Sequence, residues 1–400
     1  MALLAGRADA DRNVRSGAAR RVALVSDEQL SFGGDATNGF GVRYANVAAA
    51  ISDAGHELLV VSIGRNRTDD PRPERRAGEA LGRYVPLDWS PSRDGWLGYV
   101  DVARSALLGR TPIGPARAWE RSLVDELHRF RPDVVLVAAP FRPSLCLLVD
   151  RSVPVVYFAE EDLRSLGGAG AHIRREQQLT QLRPPRVVVT IAEPERRWAG
   201  RRWRRTTVMA IPHGIDVDHW STPVDPEPRW SHPVFTVGDY GHQRNLEGLL
   251  AVADEIERRG LGRSLSIGVA SAAPLITPAV TAIHPLGTIA DPRRGYASAR
   301  IALVPAFEVT GVKTQVLQAW AAGCPVVTTT DAARSVQGRD GRDLAAAPDA
   351  AGVVDRLQEL MAHPDQAARL VEAGARAVRA RFSMDALTSG LSAALRAATR

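Results

Sequence analysis

The chain has 400 residues, too many for one ordinary hydrophobic core and typical of two domains of about 200 residues each. An apolar content of 45% and a charged content of 24% describe a folded, soluble protein. No stretch approaches the ~20 apolar residues that a membrane span needs, and the net charge of +6 is compatible with nucleic acid, anionic lipid or phosphorylated ligands.

The N-terminal residues do not resemble a signal peptide, because only four apolar residues precede a run of charges. We therefore expect a disordered lead-in over 1–20 and a cytoplasmic protein. The two cysteines, Cys146 and Cys324, both lie in apolar surroundings. They are interpreted as buried free thiols, with no disulfide framework and no metal site.

The first half of the chain opens with a strand, a glycine loop, a helix and a second strand. The strands are predicted over Arg21–Ser26 and Leu58–Ile63, with Gly33 and Gly34 in the loop and a helix that Gly55 ends. This order is typical of a βαβ unit in a parallel sheet. Glycine lets the backbone approach a ligand closely, so the loop is a candidate binding element.

The rest of the first half continues the alternation of strands and helices. Arg65–Arg117, rich in Pro, Gly, Arg and Trp, is predicted as long loops with short helices, followed by a helix over Ala118–Phe130. Apolar, β-branched runs predict four more buried strands: Asp133–Ala138, Pro154–Phe158, Arg186–Ile191 and Val208–Ile211. Residues 21–220 therefore form a complete α/β domain.

A linker is predicted over 221–233, where Pro, Asp and Trp are frequent, and a second α/β domain over 234–380. The predicted strands of that domain are Val234–Val237, Leu265–Val269, Ile301–Pro305 and Pro325–Thr329. Its predicted helices are Leu246–Arg259, Gly311–Ala322, Ala350–Met361 and Gln366–Ala380. An amphipathic helix, Met384–Ala398, fills the final segment, 381–400. Two tandem α/β domains with facing carboxyl edges would enclose a cleft.

Lys313 is the only lysine among the 51 basic residues. A lysine that persists in so arginine-rich a chain indicates a position where a compact point charge is needed. It lies at the predicted start of the helix that follows Ile301–Pro305, where free backbone N–H groups favour an anion such as a diphosphate. The alternative is a surface lysine whose stem covers apolar neighbours.

The stretch from Ile301 to Thr329 resembles the donor-binding segment of glycosyltransferase family 4, whose pattern is a glycine, a lysine and then "VLEAMAxGxPVV". Other parts of the chain resemble the motifs of this family in the same order: Gly33-Gly34, Ala54–Glu57 ("GHEV"), Ile211–Asp216 ("IPNGID"), Phe235–Leu250 ("FVGxxxxxKN"), Leu286-Gly287 and Tyr296–Pro305 ("LGxxxxxxxxYxxAxxxLxPS"). The ordered set covers nearly the whole chain after Arg20.

The resemblance implies a GT-B fold, with two Rossmann-like domains facing across a cleft and a C-terminal helix that crosses back to the N-terminal domain. It also implies transfer of a sugar from a nucleotide-diphosphate donor, with no metal, because cationic side chains and helix ends take its place. The donor-binding positions that it implies are Gly33, Gly34, Gly238, Arg244, Thr310, Gly311, Val312, Lys313 and Gln318.

The sequence departs from the family pattern at Thr310 and Gln318, where the family commonly has two glutamates eight residues apart. Glutamine can still bond a hydroxyl, and Glu308 is near enough in sequence to compensate. A retaining transferase needs no protein nucleophile, whereas an inverting one needs a base, for which Glu160 and Glu161 are the candidates. The alternative for these two acids is a helix cap.

The acceptor is expected to be a small natural product of the antibiotic type, with a cell-envelope lipid or polysaccharide as the alternative. The arginine and alanine bias suits an actinobacterial source. The favoured interpretation of Arg196–Arg205 is a solvated helix, and the alternative is a peripheral contact with anionic lipid. Nucleic acid is not expected as a partner. A relative that binds nucleotide sugars without transfer, and a sugar-nucleotide epimerase, are the competing functions.

Overall fold

The structure is a computed structural model, which describes the following residues: 19–26, 39–64, 82–88, 118–139, 143–159, 178, 180–227, 230, 232–271, 274–275, 280–309 and 311–400. Residues 1–18 of the lead-in predicted over 1–20 lie outside these ranges. So do five predicted site residues: Gly33, Gly34, Glu160, Glu161 and Thr310.

The first α/β unit is built on seven parallel strands. These strands are β1 (Arg21–Ser26), β2 (Glu57–Gly64), β3 (Arg83–Asp88), β4 (Val134–Ala138), β5 (Val155–Phe158), β6 (Val187–Thr190) and β7 (Thr207–Ala210). The described helices between them are α1 (Gly39–Asp53), α2 (Ala118–Phe130) and α3 (Glu193–Arg202), with a short 3-10 helix at Pro143–Leu148. The central strands are buried on both faces, which their continuous apolar sequences predict.

Strand β3 corrects the prediction of loops and short helices between Arg65 and Arg117. It lies at the edge of the sheet, paired in parallel with β2 from Arg83 to Asp88. Its sequence contains Pro86 and charged residues, which sequence reasoning associates with loops. An edge strand tolerates proline, because one side of its backbone makes no ladder hydrogen bonds.

The second α/β unit has six parallel strands: β8 (Val234–Val237), β9 (Ile267–Ala270), β10 (Ile283–Gly287), β11 (Ile301–Val304), β12 (Val326–Thr329) and β13 (Ala345–Ala347). Its described helices are α4 (Val217–Ser221), α5 (Gln243–Arg258), α6 (Pro292–Ser298), α7 (Thr314–Ala321), α8 (Thr330–Ser335), α9 (Ala350–Ala362) and α10 (Pro364–Phe382). The chain ends in α11 (Met384–Ala398), as predicted.

Each sheet has the strand order of a Rossmann fold. The orders are β3-β2-β1-β4-β5-β6-β7 and β10-β9-β8-β11-β12-β13, and every strand pair is parallel. In both sheets the order reverses next to the first strand, between β1 and β4 and between β8 and β11. Ligands of open α/β sheets bind beyond the carboxyl ends of the strands at such a switch point. The predicted pair of Rossmann-like domains is confirmed.

The chain passes from the first compact unit to the second between Pro212 and His213. This boundary lies before the predicted linker at 221–233. The first unit takes Leu387–Arg400, so most of α11 belongs with the N-terminal sheet. Gly390 in this helix packs so closely on Ile211 that a Cβ would lie 2.8 Å from the Ile211 side chain. The predicted return of the C-terminal helix to the N-terminal domain is therefore present within the first unit.

Candidate functional site

A small pocket lies at the switch point of the second sheet. Its walls are the carboxyl end of β8 with Gly238, the carboxyl end of β11 with Pro305 and Ala306, and the start of α7 with Lys313. Tyr240, Asn245 and Gln315 complete the lining. Gly238 and Lys313 are thus brought together by the fold, although 75 residues separate them in the chain.

Gly238 opens one wall of this pocket. Its N–H donates to the Ala270 carbonyl over 3.1 Å, which fixes the backbone at the end of β8. A Cβ at this position would lie 3.5 Å from the Gln315 amide nitrogen and 3.6 Å from the Tyr240 ring. These are ordinary contacts, so glycine is not needed for packing here. The absence of a side chain leaves room for a ligand instead.

Tyr240 forms the floor of the pocket. Its hydroxyl and the Thr236 hydroxyl are 2.5 Å apart, and burial raises the pKa of Tyr240 above its usual value. The ring therefore stays neutral and fixed between β8 and the start of α5. The Asn245 side-chain amide donates to the Asp239 carbonyl over 2.9 Å, which holds the loop between them.

Helix α7 begins later than the prediction from Gly311, and this changes the role of Lys313. Gly311 has φ +68°, a left-handed conformation that ends the preceding segment without entering a helix. Lys313 is the N-cap residue, with φ −81° and ψ 91°, and the first helical residue is Thr314. The Lys313 N–H donates to the Ser335 hydroxyl over 3.2 Å, so Ser335 fixes the residue that carries the ammonium group.

Gln315 and Gln318, three residues apart on α7, differ in exposure. Gln315 lines the pocket, and the Tyr296 hydroxyl donates to its backbone carbonyl over 3.3 Å. Gln318 is only 5% exposed and does not line the pocket. The prediction that Gln318 binds the donor stays a prediction. Gln315 was not predicted, although it follows Lys313 by two residues.

Arg244 and Glu308 flank the same region. Arg244 lies in the first turn of α5, and its Nε is 3.6 Å from a carboxylate oxygen of Glu308. Glu308 is 75% exposed, and an ion pair this open to water contributes at most about 1 kcal/mol. The Arg244–Glu308 pair is therefore a weak one.

Close packing fixes the wall at Pro305. Helix α5 crosses the end of β11 at Gly248, where a Cβ would lie 2.0 Å from the Pro305 carbonyl oxygen. Side chains of β12 hold the same loop, because the Thr328 hydroxyl donates to the Val304 carbonyl over 2.7 Å and the Thr329 hydroxyl donates to the Ala306 carbonyl. The pocket is thus built on rigid elements.

Comparison with known proteins gives a family for the part of the chain that holds this pocket. Residues 232–363, about a third of the chain, match the family model described as glycosyl transferases group 1. A sequence search of curated proteins finds no match.

Solved structures extend the likeness to nearly the whole chain. HepE from Anabaena in complex with UDP aligns with a TM-score of 0.69 and 11% identity over 94% of this chain and 99% of its own. The chain therefore has the GT-B fold of these glycosyltransferases. Sucrose-phosphate synthase from Thermosynechococcus elongatus aligns with this chain at a TM-score of 0.66 and 14% identity, over 94% and 98% of the two chains. A TarM mutant from S. aureus, in complex with fondaparinux, alpha-GlcNAc-glycerol and UDP, aligns with a TM-score of 0.66 and 9% identity, over 94% of this chain and 99% of its own.

The basic segment Arg196–Arg205 presents arginines rather than aromatic rings to the solvent. Trp203 is 2% exposed and donates from its indole nitrogen to the Thr180 hydroxyl over 3.2 Å, and Trp198 packs against it. Arg196 pairs with Glu193 over 2.6 Å. The geometry favours the solvated-helix interpretation, and membrane contact stays a prediction. No helix in the described part of the chain is long and apolar enough to cross a membrane.

Both cysteines of the chain are buried free thiols, as predicted. Burial raises the pKa of Cys324 to about 12, so its thiol is protonated and inert at neutral pH. The predicted bases Glu160 and Glu161 follow the carboxyl end of β5, and Gly33 and Gly34 follow that of β1, all outside the described residues.

Proposed function

We propose that this protein is a glycosyltransferase that moves a sugar from a UDP-sugar to a small natural-product acceptor, without a metal ion and with retention at the anomeric carbon. The observation that supports it most is the pocket at the β8–β11 switch point, where Gly238 and Lys313 meet. UDP is named as the donor nucleotide because HepE and TarM are described in complex with it.

The diphosphate would lie beyond the ends of β8 and β11, against Gly238. The Lys313 ammonium would supply one positive charge, and the N-terminus of α7 would supply its partial positive charge. Arg244 would supply a second full charge by exchanging its open ion pair with Glu308 for the diphosphate. Two cations and a helix end suffice to offset a charge of about −2 without a metal.

The sugar and nucleoside ends of the donor would use the neutral groups around the diphosphate. The Gln315 amide faces Gly238 across the pocket, so it is the nearest described side chain that could bond a phosphate or sugar oxygen. The backbone N–H groups of Gly311 and Val312 and the side chain of Thr310 are proposed donor contacts. A ribose contact of Gln318 would require its buried side chain to become accessible.

In the transfer step, the bond between the anomeric carbon and the diphosphate oxygen breaks as the acceptor oxygen forms a bond to the same carbon. The acceptor proton passes to the leaving diphosphate oxygen, so no protein nucleophile is needed. Lys313 and Arg244 would act by stabilising the negative charge that develops on that diphosphate. If the outcome were inversion, Glu160 or Glu161 would be the proposed base.

The donor site is tested by calorimetric titration of wild type, Lys313→Ala and Arg263→Ala with UDP, GDP and dTDP. Arg263 is exposed and distant in the fold from the pocket, so it controls for the loss of one positive charge. We expect UDP to bind most tightly, and Lys313→Ala to lose about 1.5–3 kcal/mol, the contribution of a charge-assisted hydrogen bond. EDTA should leave the affinity unchanged.

Two results would count against the proposal. Equal binding of UDP by Lys313→Ala and by Arg263→Ala would remove Lys313 from the site. Failure of all three nucleotides to bind the wild type would remove the pocket as a donor site. Binding of UDP with no turnover of UDP-sugars would instead support a non-catalytic relative.

A further inference from the structure

A larger pocket lies in the first unit, at the edge of the sheet where the strands begin. Its volume is about 410 Å³, and its walls are the segments that enter β5 and β6, the 3-10 helix at Cys146 and the end of α11. Pockets that hold small molecules typically measure about 300–1,000 Å³. Because both sheets are parallel, this amino edge lies opposite the carboxyl edge at which the sheet would present a catalytic site.

Four arginines line this pocket, which we call the amino-edge pocket: Arg151 before β5, Arg183 and Arg186 before β6, and Arg400 after α11. The two entering segments, 151–154 and 183–186, contain no carboxylate. The nearest acid in sequence, Asp150, is bonded to Ser152, whose backbone N–H and hydroxyl both donate to one carboxylate oxygen over 2.8 and 2.6 Å. Asp150 thus offsets part of the positive charge of Arg183 while its carboxylate is bonded to Ser152.

Arg183 makes the pocket rigid. Its guanidinium donates to the backbone carbonyls of Val149, Asp150 and Val153, and so holds the turn that carries Arg151 and Ser152. Burial lowers the pKa of Arg183 below its usual value, and the nearby Arg151 cation lowers it as well, while Cys146 and Asp150 act in the opposite direction. Like charges close to a desolvated guanidinium repel one another, and a bound anion would relieve that repulsion.

The positive charge continues along the same edge to the next strand. Arg201, Arg204 and Arg205 are exposed at the end of α3 and in the turn that enters β7, which pairs in parallel with β6. The segment 199–206 also contains no acid. A concave site surrounded by one sign of charge concentrates oppositely charged ligands near it.

We propose that the amino-edge pocket binds a phosphate-bearing anion, with the Arg151 and Arg186 guanidinium groups as its main contacts and Arg183 as the residue that positions them. Arginine presents a planar fork that matches two phosphate oxygens, which suits this ligand class. The phosphate could belong to a free anion or to a phospholipid headgroup. This inference concerns the first unit alone and does not rest on the proposed donor site.

The test uses the double variant Arg151→Gln/Arg186→Gln with a control of equal charge, Arg121→Gln/Arg263→Gln. All four arginines are exposed, so both variants should fold and melt within a few degrees of wild type. Each protein is titrated calorimetrically with sodium pyrophosphate. Each is also sedimented with vesicles of phosphatidylglycerol and phosphatidylcholine, and with vesicles of phosphatidylcholine alone.

We expect the pocket variant to lose affinity by about 100-fold, roughly tenfold for each charge-assisted contact, while the control binds as wild type does. Any pyrophosphate bound at the donor site is common to the two variants, so only their difference reports on this pocket. Loss in the pyrophosphate arm assigns a free anion, and loss only with phosphatidylglycerol vesicles assigns a lipid headgroup. If the two variants behave alike in both arms, the proposal is wrong.

Discussion

Replacement of Gly248 by alanine tests how closely α5 packs on the donor pocket. The new Cβ would lie 2.0 Å from the Pro305 carbonyl oxygen and 3.1 Å from its carbon. Backbone cannot move aside as a flexible side chain can, so α5 must shift away from β11. Overpacking of this kind costs about 1–3 kcal/mol or more, whereas alanine gains at most about 1 kcal/mol over glycine in helix propensity. Because a backbone atom only 2.0 Å away blocks the new Cβ, the cost lies at or above the upper end of that range, and we expect net destabilisation of about 1–3 kcal/mol.

Scanning calorimetry measures this effect, with Gly200→Ala as the matched control. Gly200 also lies in a helix, α3, but a Cβ there would meet no atom within 4 Å. A destabilisation of about 1–3 kcal/mol lowers the melting temperature by roughly 2–12 °C in a domain of this size. Gly200→Ala should instead stabilise slightly, by about 0.4–1 kcal/mol. If both variants melt at or above the wild-type temperature, α5 does not pack on Pro305 as described.

Two further substitutions separate binding from stability. Gly238→Ala should keep the wild-type melting temperature, because its Cβ would make only ordinary contacts at 3.5 and 3.6 Å. It should weaken UDP binding at least tenfold, because the new methyl group occupies the pocket. Unchanged UDP affinity would place the diphosphate elsewhere. His232 stacks on His284 with ring centroids 4.4 Å apart, and burial, together with His284, lowers its pKa. The His232 imidazole therefore binds a proton more readily in the unfolded chain than in the folded one, so the free energy of unfolding should decrease as pH drops below about 6.5. His232→Gln should reduce that loss of stability. An identical dependence of stability on pH in the variant and the wild type would refute this role of His232.

Much of the fold is predictable from the sequence, because the central strands are buried on both faces. Arg21–Ser26 and Val234–Val237 are mostly apolar, and their predicted bounds agree with those of β1 and β8. Strand β13 was missed, because its three alanines have no strand preference and pair only in the context of β12. Its assignment depends on tertiary contacts that no local pattern records.

The candidate site was predictable only where chemistry marks a residue in the sequence. Lys313 is conspicuous as the sole lysine, and Gly238 follows a strand, and both line the pocket. Tyr240 and Gln315 were missed, because nothing local shows that the ring folds back on Thr236 or that the amide faces Gly238. Gln318 was chosen by alignment with a family glutamate, and its burial depends on the rotation of α7, which begins at Thr314.

The central claim is that a nucleotide diphosphate binds at the switch point between β8 and β11. A crystal structure of the protein grown with saturating UDP tests it most directly. We predict that the diphosphate lies beyond the ends of these two strands, beside Gly238, with the Lys313 ammonium within hydrogen-bond distance of a phosphate oxygen. UDP bound elsewhere on the chain, or an empty switch point at saturating UDP, would contradict the claim.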